Sequence, residues 1–199
     1  MINETTLALA TFALVSSITP GPNNIMLMSS GTNYGFRRTI PHILGVCLGF
    51  VLMVAVVGLG LMQIFTVYPI IQKVLKIVCM IYLVYLSYKI AVSSPDLKAD
   101  ETSEEARPFT FLQAALFQWV NPKAIAMTLS AISIFAPSNS IQEVMSVAII
   151  FGLVNLPSVS LWVVIGQQIR RFLNEPKRLR FFNYVMASLL FATLGFILG

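Results

Sequence analysis

Charge is what this chain has least of. Only 11% of its 199 residues are charged, against 57% apolar ones, whereas a globular domain carries roughly 25% charged residues. That leaves too little polar surface to face water, and the mean hydropathy of +0.82 points to an integral membrane protein. Acids are the scarcer sign, eight against thirteen Lys and Arg. None of them lies within an apolar run, since Glu4 and Glu143 sit only at the outer ends, so a di-acid intramembrane protease is excluded. The two cysteines, Cys47 and Cys79, lie in apolar runs without a CxxC or ligand spacing. They read as small hydrophobes and give neither a disulfide framework nor a metal site. There is one histidine and no Ser-His-Asp set, HExxH or P-loop, which removes the common hydrolase, metalloenzyme and ATPase signatures. No catalytic residue and no cofactor is expected. No basic residue precedes the first apolar run, so a cleaved signal peptide is not expected either.

What is there is a series of long apolar stretches. A membrane span needs about 20 predominantly apolar residues, and six such stretches run at 5–33, 40–63, 71–92, 110–135, 142–169 and 181–198. The predicted fold class is an all-α integral membrane protein with six transmembrane helices. The only long polar segment, 93–109, is read as a cytoplasmic linker between a first three-helix unit, 1–92, and a second, 110–199. The net charge of +5 reads as topology, because the basic residues sit in connecting loops and no nucleic-acid module accompanies them. Ten of the thirteen Lys and Arg fall in the loops after spans one, three and five, against Lys73 and Lys76 on the other side. The positive-inside bias then puts both termini outside. Pro22 and Pro122 stand 100 residues apart in the first spans of their halves, and three spans per half force the halves into opposite orientations. That is the inverted-repeat plan of secondary transporters.

Thr19-Pro20-Gly21-Pro22-Asn23-Asn24 interrupts the first span, and Gln118 to Lys123 interrupts the fourth. Proline removes a backbone donor and breaks a helix, and irregular backbone at membrane depth survives only against protein or a water-filled cavity. Counting about 1.5 Å per residue, both breaks lie about 18–23 Å in, around the middle of the membrane. Thr19 and Asn121 are suited to cap the helices that restart at Pro20 and Pro122. The two restarted helices would then aim their N-termini, and the amides of Gly21, Asn23, Lys123 and Ala124, at one point that suits a carboxylate. Lys123 is the one basic residue within a span. With no acid in any apolar run, its partner is a bound anion, a backbone carbonyl or water, unless it snorkels to an interface. Asn23, Asn24, Gln118, Asn121 and Asn155 supply neutral donors and acceptors, for substrate or for interhelical bonding. Asn155 gains interest from Pro157 beside it. His42 reads as an interfacial residue at the cytoplasmic mouth rather than a proton relay. Gly45 and Gly49 form a close-packing face, within one subunit or between two copies in a homodimer. Tyr82, Tyr85 and Tyr88 form an aromatic belt and packing stripe.

These motifs resemble the lysine-exporter (LysE) superfamily, in its RhtB-like branch of amino-acid exporters. The resemblance is carried by Thr19-Pro-Gly-Pro-Asn-Asn24, Gly35-Phe-Arg-Arg38 leading into Gly45-x-x-x-Gly49, Tyr82-Leu-Val-Tyr-Leu-Ser-Tyr-Lys89, and Phe109 through Gln118-x-x-Asn121-Pro-Lys123-Ala. It implies efflux of small neutral amino acids or derivatives from the bacterial cytoplasm, driven by the proton gradient. Within the branch, Asn24 after Asn23 and Gln118-x-x-Asn121 resemble exporters of cysteine and O-acetylserine, with homoserine, threonine and leucine exporters as neighbours. The expected partners are an amino-acid substrate and the lipid bilayer of the inner membrane. The expected substrate-binding residues are Thr19, Pro20, Gly21, Pro22, Asn23, Asn24, Gln118, Asn121, Pro122, Lys123 and Asn155. Two other classes compete: a membrane scaffold or assembly factor whose polar layer is purely structural, and a lipid-acting enzyme, which the absence of a clustered acid/base pair disfavours.

Overall fold

The computed structural model describes residues 4–61, 69–92, 107–173 and 175–195, and among them every regular element is a helix. The helices are α1 (Glu4–Ile18), α2 (Pro22–Val56), a π-helical turn (Val57–Leu61), α3 (Pro69–Ala91), α4 (Phe111–Phe117), α5 (Pro122–Phe135), α6 (Ile141–Arg170) and α7 (Pro176–Ala192). The first and fourth expected spans each appear as two helices in series, α1 with the start of α2, and α4 with α5. Most of the linker 93–109 and the end of the sixth span lie outside the described residues, as do the side chains of Lys73, Lys76 and Cys79.

One expectation fails at the first corner. A loop holding Arg37 and Arg38 was expected between spans one and two, but residues 34–40 are helical. The chain turns at Gly35 alone, which adopts φ 77°, ψ 172°. L side chains rarely enter that region, whereas glycine does so freely, so one residue does the work of a loop. α2 therefore has a first arm, 22–34, and a second arm, 36–56. The second span is also shorter in α-helix than its apolar run, passing into the π turn after Val56.

α2 is the centre of the bundle, and glycines set how closely its neighbours approach. A Cβ on Gly31 would run into the Val163 backbone of α6, and one on Gly166 of α6 would run into the Met28 carbonyl. Thr32 Oγ1 ties this contact by donating to Met28 O (3.0 Å) and Gly166 O (2.9 Å). On the second arm, a Cβ at Gly49 would lie 2.6 Å from Ala115 Cα, and Gly45 faces the Phe111 carbonyl of α4. The Gly45/Gly49 face is thus occupied within the chain, and a homodimer would need another surface.

Apolar side chains pack into clusters within the bundle. Leu9, Phe50, Val54, Ala131, Val144 and Phe151 form one cluster; Ile25, Met28, Leu83, Phe117, Met186 and Leu190 form another. Cys47 is buried among Ile43, Val46 and Val163, the small-hydrophobe role expected of it. The outside is apolar as well: Leu7, Ile81, Ile149, Leu153 and Phe181 are each more than half exposed. Among the described residues two helical stretches, Pro22–Gly60 and Ile141–Arg170, are long and apolar enough to cross a membrane, and Glu4–Ile18, Met80–Ala91 and Pro122–Phe135 are shorter apolar helices. Tyr82 stacks on Phe109 and Tyr85, while Tyr85 and Tyr88 face outward, so the tyrosine stripe divides between packing and surface.

Candidate functional site

The site begins with two chain breaks. α1 ends at Ile18, and helix resumes only at Pro22, with Gly21 as N-cap in extended conformation (φ −174°, ψ 176°) and no side-chain cap. Thr19 is therefore not the cap. A residue before proline is pushed out of the α region, and with prolines at both 20 and 22 the restart is delayed to the second. At the other break α4 ends at Phe117 and α5 starts at Pro122. Its cap is the expected Asn121, whose side chain accepts from Lys123 N at 3.2 Å. The caps Gly21 and Asn121, like Pro22 and Pro122 after them, stand 100 residues apart.

Breaking α1 releases the carbonyls of its last turn, and each finds a side-chain donor. Thr19 Oγ1 donates to Ser16 O (3.0 Å), Asn24 Nδ2 to Ser17 O and Thr19 O (both 2.8 Å), and Trp162 Nε1 to Ile18 O (3.2 Å). Lys123 Nζ completes the set, donating to Thr19 O, to Thr19 Oγ1 (2.9 Å) and to Pro20 O (3.4 Å). The ammonium thus sits on the negative end of the α1 dipole, where a cation is favoured. Of the partners considered for Lys123, a backbone carbonyl is the one found. Its stem runs over Gly21, where an added Cβ would come within 2.6 Å of Lys123 Cδ; only glycine leaves that path open.

A second bond crosses between the breaks. Asn23 Nδ2 donates to Gln118 Oε1 (2.8 Å), Gln118 Nε2 returns a bond to Asn23 Oδ1 (3.3 Å), and Gln118 Nε2 also holds Ala114 O (2.8 Å). Asn23 and Lys123 occupy the same second position of their helices. Each reaches to the residues just ahead of the other helix's cap.

Between the breaks lies a small, partly open cavity. Of the residues singled out by sequence, Gly21, Asn23, Asn24, Gln118, Asn121, Lys123 and Asn155 line it, although Asn155 lies some thirty positions beyond the second break. Thr19, Pro20, Pro22 and Pro122 do not; they hold the ammonium or start the helices. Among the described residues, Lys123 is the only charged one in the lining. The expected set of free amides is reduced, because Asn121 takes that of Lys123. Sequence reasoning missed Ser16, Ser17, Phe50, Met127 and Val159, which complete the wall with Ala124, whose amide it had placed there. Ser16 and Ser17 stand directly ahead of the Thr19 motif, a nearness that was the available signal; Phe50, Met127 and Val159 look like any core residue in sequence.

A family model described as LysE type translocator matches residues 14–199. This chain belongs to the LysE type translocator family. It is also similar to curated relatives called cysteine/O-acetylserine efflux protein, from Escherichia coli and from Shigella sonnei. Each is 28% identical over 182 residues, covering 90% of this chain and 90% of the relative. No solved structure matches it. Membership puts the chain among translocators, not enzymes.

In this LysE type translocator a further polar layer lies beside the Gly35 corner. Asn33 Nδ2 donates to Asn183 Oδ1 of α7 (3.1 Å) and to Ser29 O (2.8 Å). His42 corrects an expectation: it is wholly buried, 1% exposed, not interfacial. Its Nδ1 lies 3.2 Å from Ser30 Oγ across the corner, and its ring meets Phe109 edge-on at 5.1 Å. The reason is the missing loop: once helix resumes directly at residue 36, His42 is already two turns inside the bundle.

Proposed function

We propose that this chain is a secondary active exporter of small neutral amino acids or their derivatives, of the cysteine and O-acetylserine kind, driven by proton antiport across a bacterial cytoplasmic membrane. The observation that carries this reading is the cavity at the two breaks, lined among the described residues by one cation, no carboxylate and several neutral amides. An amino-acid carboxylate fits the pole formed by Lys123, Asn23 and the uncapped start of α2. With no acid in the wall to hold a second positive charge, a basic side chain is disfavoured. The named relatives support a short substrate side chain, and the family resemblance supports the proton gradient as the energy source.

The reading includes two three-helix repeats of opposite orientation, 1–92 and 110–199, both termini outside, working by alternating access. The matching caps and first-position prolines support it, as does the reciprocal reach of Asn23 and Lys123. The bonds between breaks would loosen as one repeat rocks against the other, and a bound carboxylate would compete with the Thr19 and Pro20 oxygens for the Lys123 ammonium.

The test is efflux of a panel of labelled amino acids from cells loaded with dipeptides, comparing wild type with Lys123→Ala at matched membrane abundance. Faster loss of one class by wild type only is expected. Equal loss across the panel would refute the exporter reading and favour a scaffold.

A further inference from the structure

The cavity wall is polar in two different ways. Around the breaks, each polar side chain already has a partner: Asn23 with Gln118, Asn24 on two carbonyls, Asn121 on its own helix, Lys123 on Thr19 and Pro20. Ser16 Oγ is likewise engaged, donating to Phe12 O at 2.6 Å. Two lining side chains differ. Ser17, in the last turn of α1, is 4% exposed and its Oγ has no hydrogen-bond partner. Asn155, midway along α6, is 5% exposed, and its amide makes no hydrogen bond among the described residues. α1 packs against α6, and both side chains line the cavity.

A buried polar group left unmet is costly, and such groups in native proteins call for an explanation. At position 17 an apolar side chain would satisfy packing without that cost. Among the described residues no charged group other than Lys123 faces the cavity, and the two side chains are themselves neutral, which suits a neutral hydrogen-bonding group. A serine hydroxyl and an asparagine amide can each both donate and accept. They suit a hydroxyl, a thiol or an ester carbonyl equally. Phe50, Met127 and Val159, apolar members of the same wall, leave no further polar contact for a longer side chain.

We propose that Ser17 and Asn155 are the specificity-determining residues of the cavity, reading a neutral hydrogen-bonding group on the substrate side chain and so preferring it to a hydrocarbon of equal size. This rests on the reading of the cavity as an amino-acid site. A site built to hydrogen-bond a substrate group discriminates against the analogue lacking it more strongly than an apolar pocket discriminates between methylenes.

The experiment uses the full chain in proteoliposomes and measures export of serine against 2-aminobutyrate, in which a methyl replaces the hydroxyl. Wild type is expected to favour serine by about tenfold, or about 1.4 kcal/mol. Ser17→Ala and Asn155→Ala should each bring the serine to 2-aminobutyrate ratio several-fold closer to one. Ser17→Ala should also leave thermal stability equal or higher, since it removes an unmet hydroxyl; a purely structural serine would lower it. Export by wild type with the ratio unchanged in both variants overturns the proposal alone. A wild type that moves neither substrate nor any other amino acid overturns the exporter reading and this proposal with it.

Discussion

Gly21→Ala displaces the Lys123 ammonium without altering its charge. The backbone at Gly21 is extended, φ −174°, so alanine meets no conformational strain there. The added Cβ would stand 2.6 Å from Lys123 Cδ and 3.2 Å from Nζ. Unstrained carbon contacts lie at about 3.5–4.0 Å, so the stem must retreat by about 1 Å. The bond to Thr19 Oγ1, now 2.9 Å, then passes beyond the roughly 3.2 Å limit of a good hydrogen bond. The fold should tolerate this, because the atom that moves is the far end of a flexible chain. Alanine in place of glycine at the N-cap costs about 0.5–1 kcal/mol. The loosened ammonium bonds add about 1 kcal/mol at most, since the head is open to water and solvent replaces them. Transport depends on where the charge sits. A 1 Å misplacement at a positioned site can cost roughly a hundredfold, so efflux should fall by about one to two orders of magnitude. The assay is initial efflux rate at matched membrane abundance, with thermal stability in detergent as the control. Wild-type efflux by a stable Gly21→Ala protein would refute the claim that the ammonium must sit on the end of α1. A loss like that of Lys123→Ala would assign the effect to position, not charge.

Two further outcomes follow from the geometry. Asn23→Ala leaves the fully buried Gln118 Oε1 without its donor, which should cost about 1–3 kcal/mol. A double-mutant cycle with Gln118→Ala should then return a coupling of about 0.5–3 kcal/mol by thermal or denaturant unfolding, and additivity would mean the two breaks are not tied through this pair. Gly35→Ala places a Cβ with nothing within 4 Å at φ +77°, so its whole effect is backbone strain, about 1–3 kcal/mol. Unchanged melting would show that the corner does not need a left-handed residue.

The parts of the site legible in sequence were those tied to proline and buried polarity. Pro20, Pro22 and Pro122 lack amide hydrogens wherever they stand, so both breaks could be placed without coordinates, and apolar run length located most of the helices. Asn121 followed by Pro122 has the local chemistry of a capped start, and the cap is found there. Long-range order was also readable, since the motifs from Thr19 to Ala124 together led to the family.

Tertiary structure decided what depends on partners distant in sequence. Nothing local says that Lys123 reaches back 104 residues to Thr19, because its choice among anion, carbonyl and water turns on which oxygens the fold brings near. Two candidate prolines competed to restart the first helix, and the packed break selected Pro22 with Gly21 as its cap. His42 was misplaced because one glycine stands in for a loop, and a positive φ is invisible in composition. The Gly45/Gly49 face met α4 of its own chain, a contact set by helix orientation. Ser17 is an ordinary polar residue in sequence; only the packing of two different helices brought it and Asn155 to one cavity and left the Ser17 hydroxyl unmet. Backbone chemistry acts over a few residues and can be read along the chain, whereas the partner of a long side chain depends on how the helices assemble.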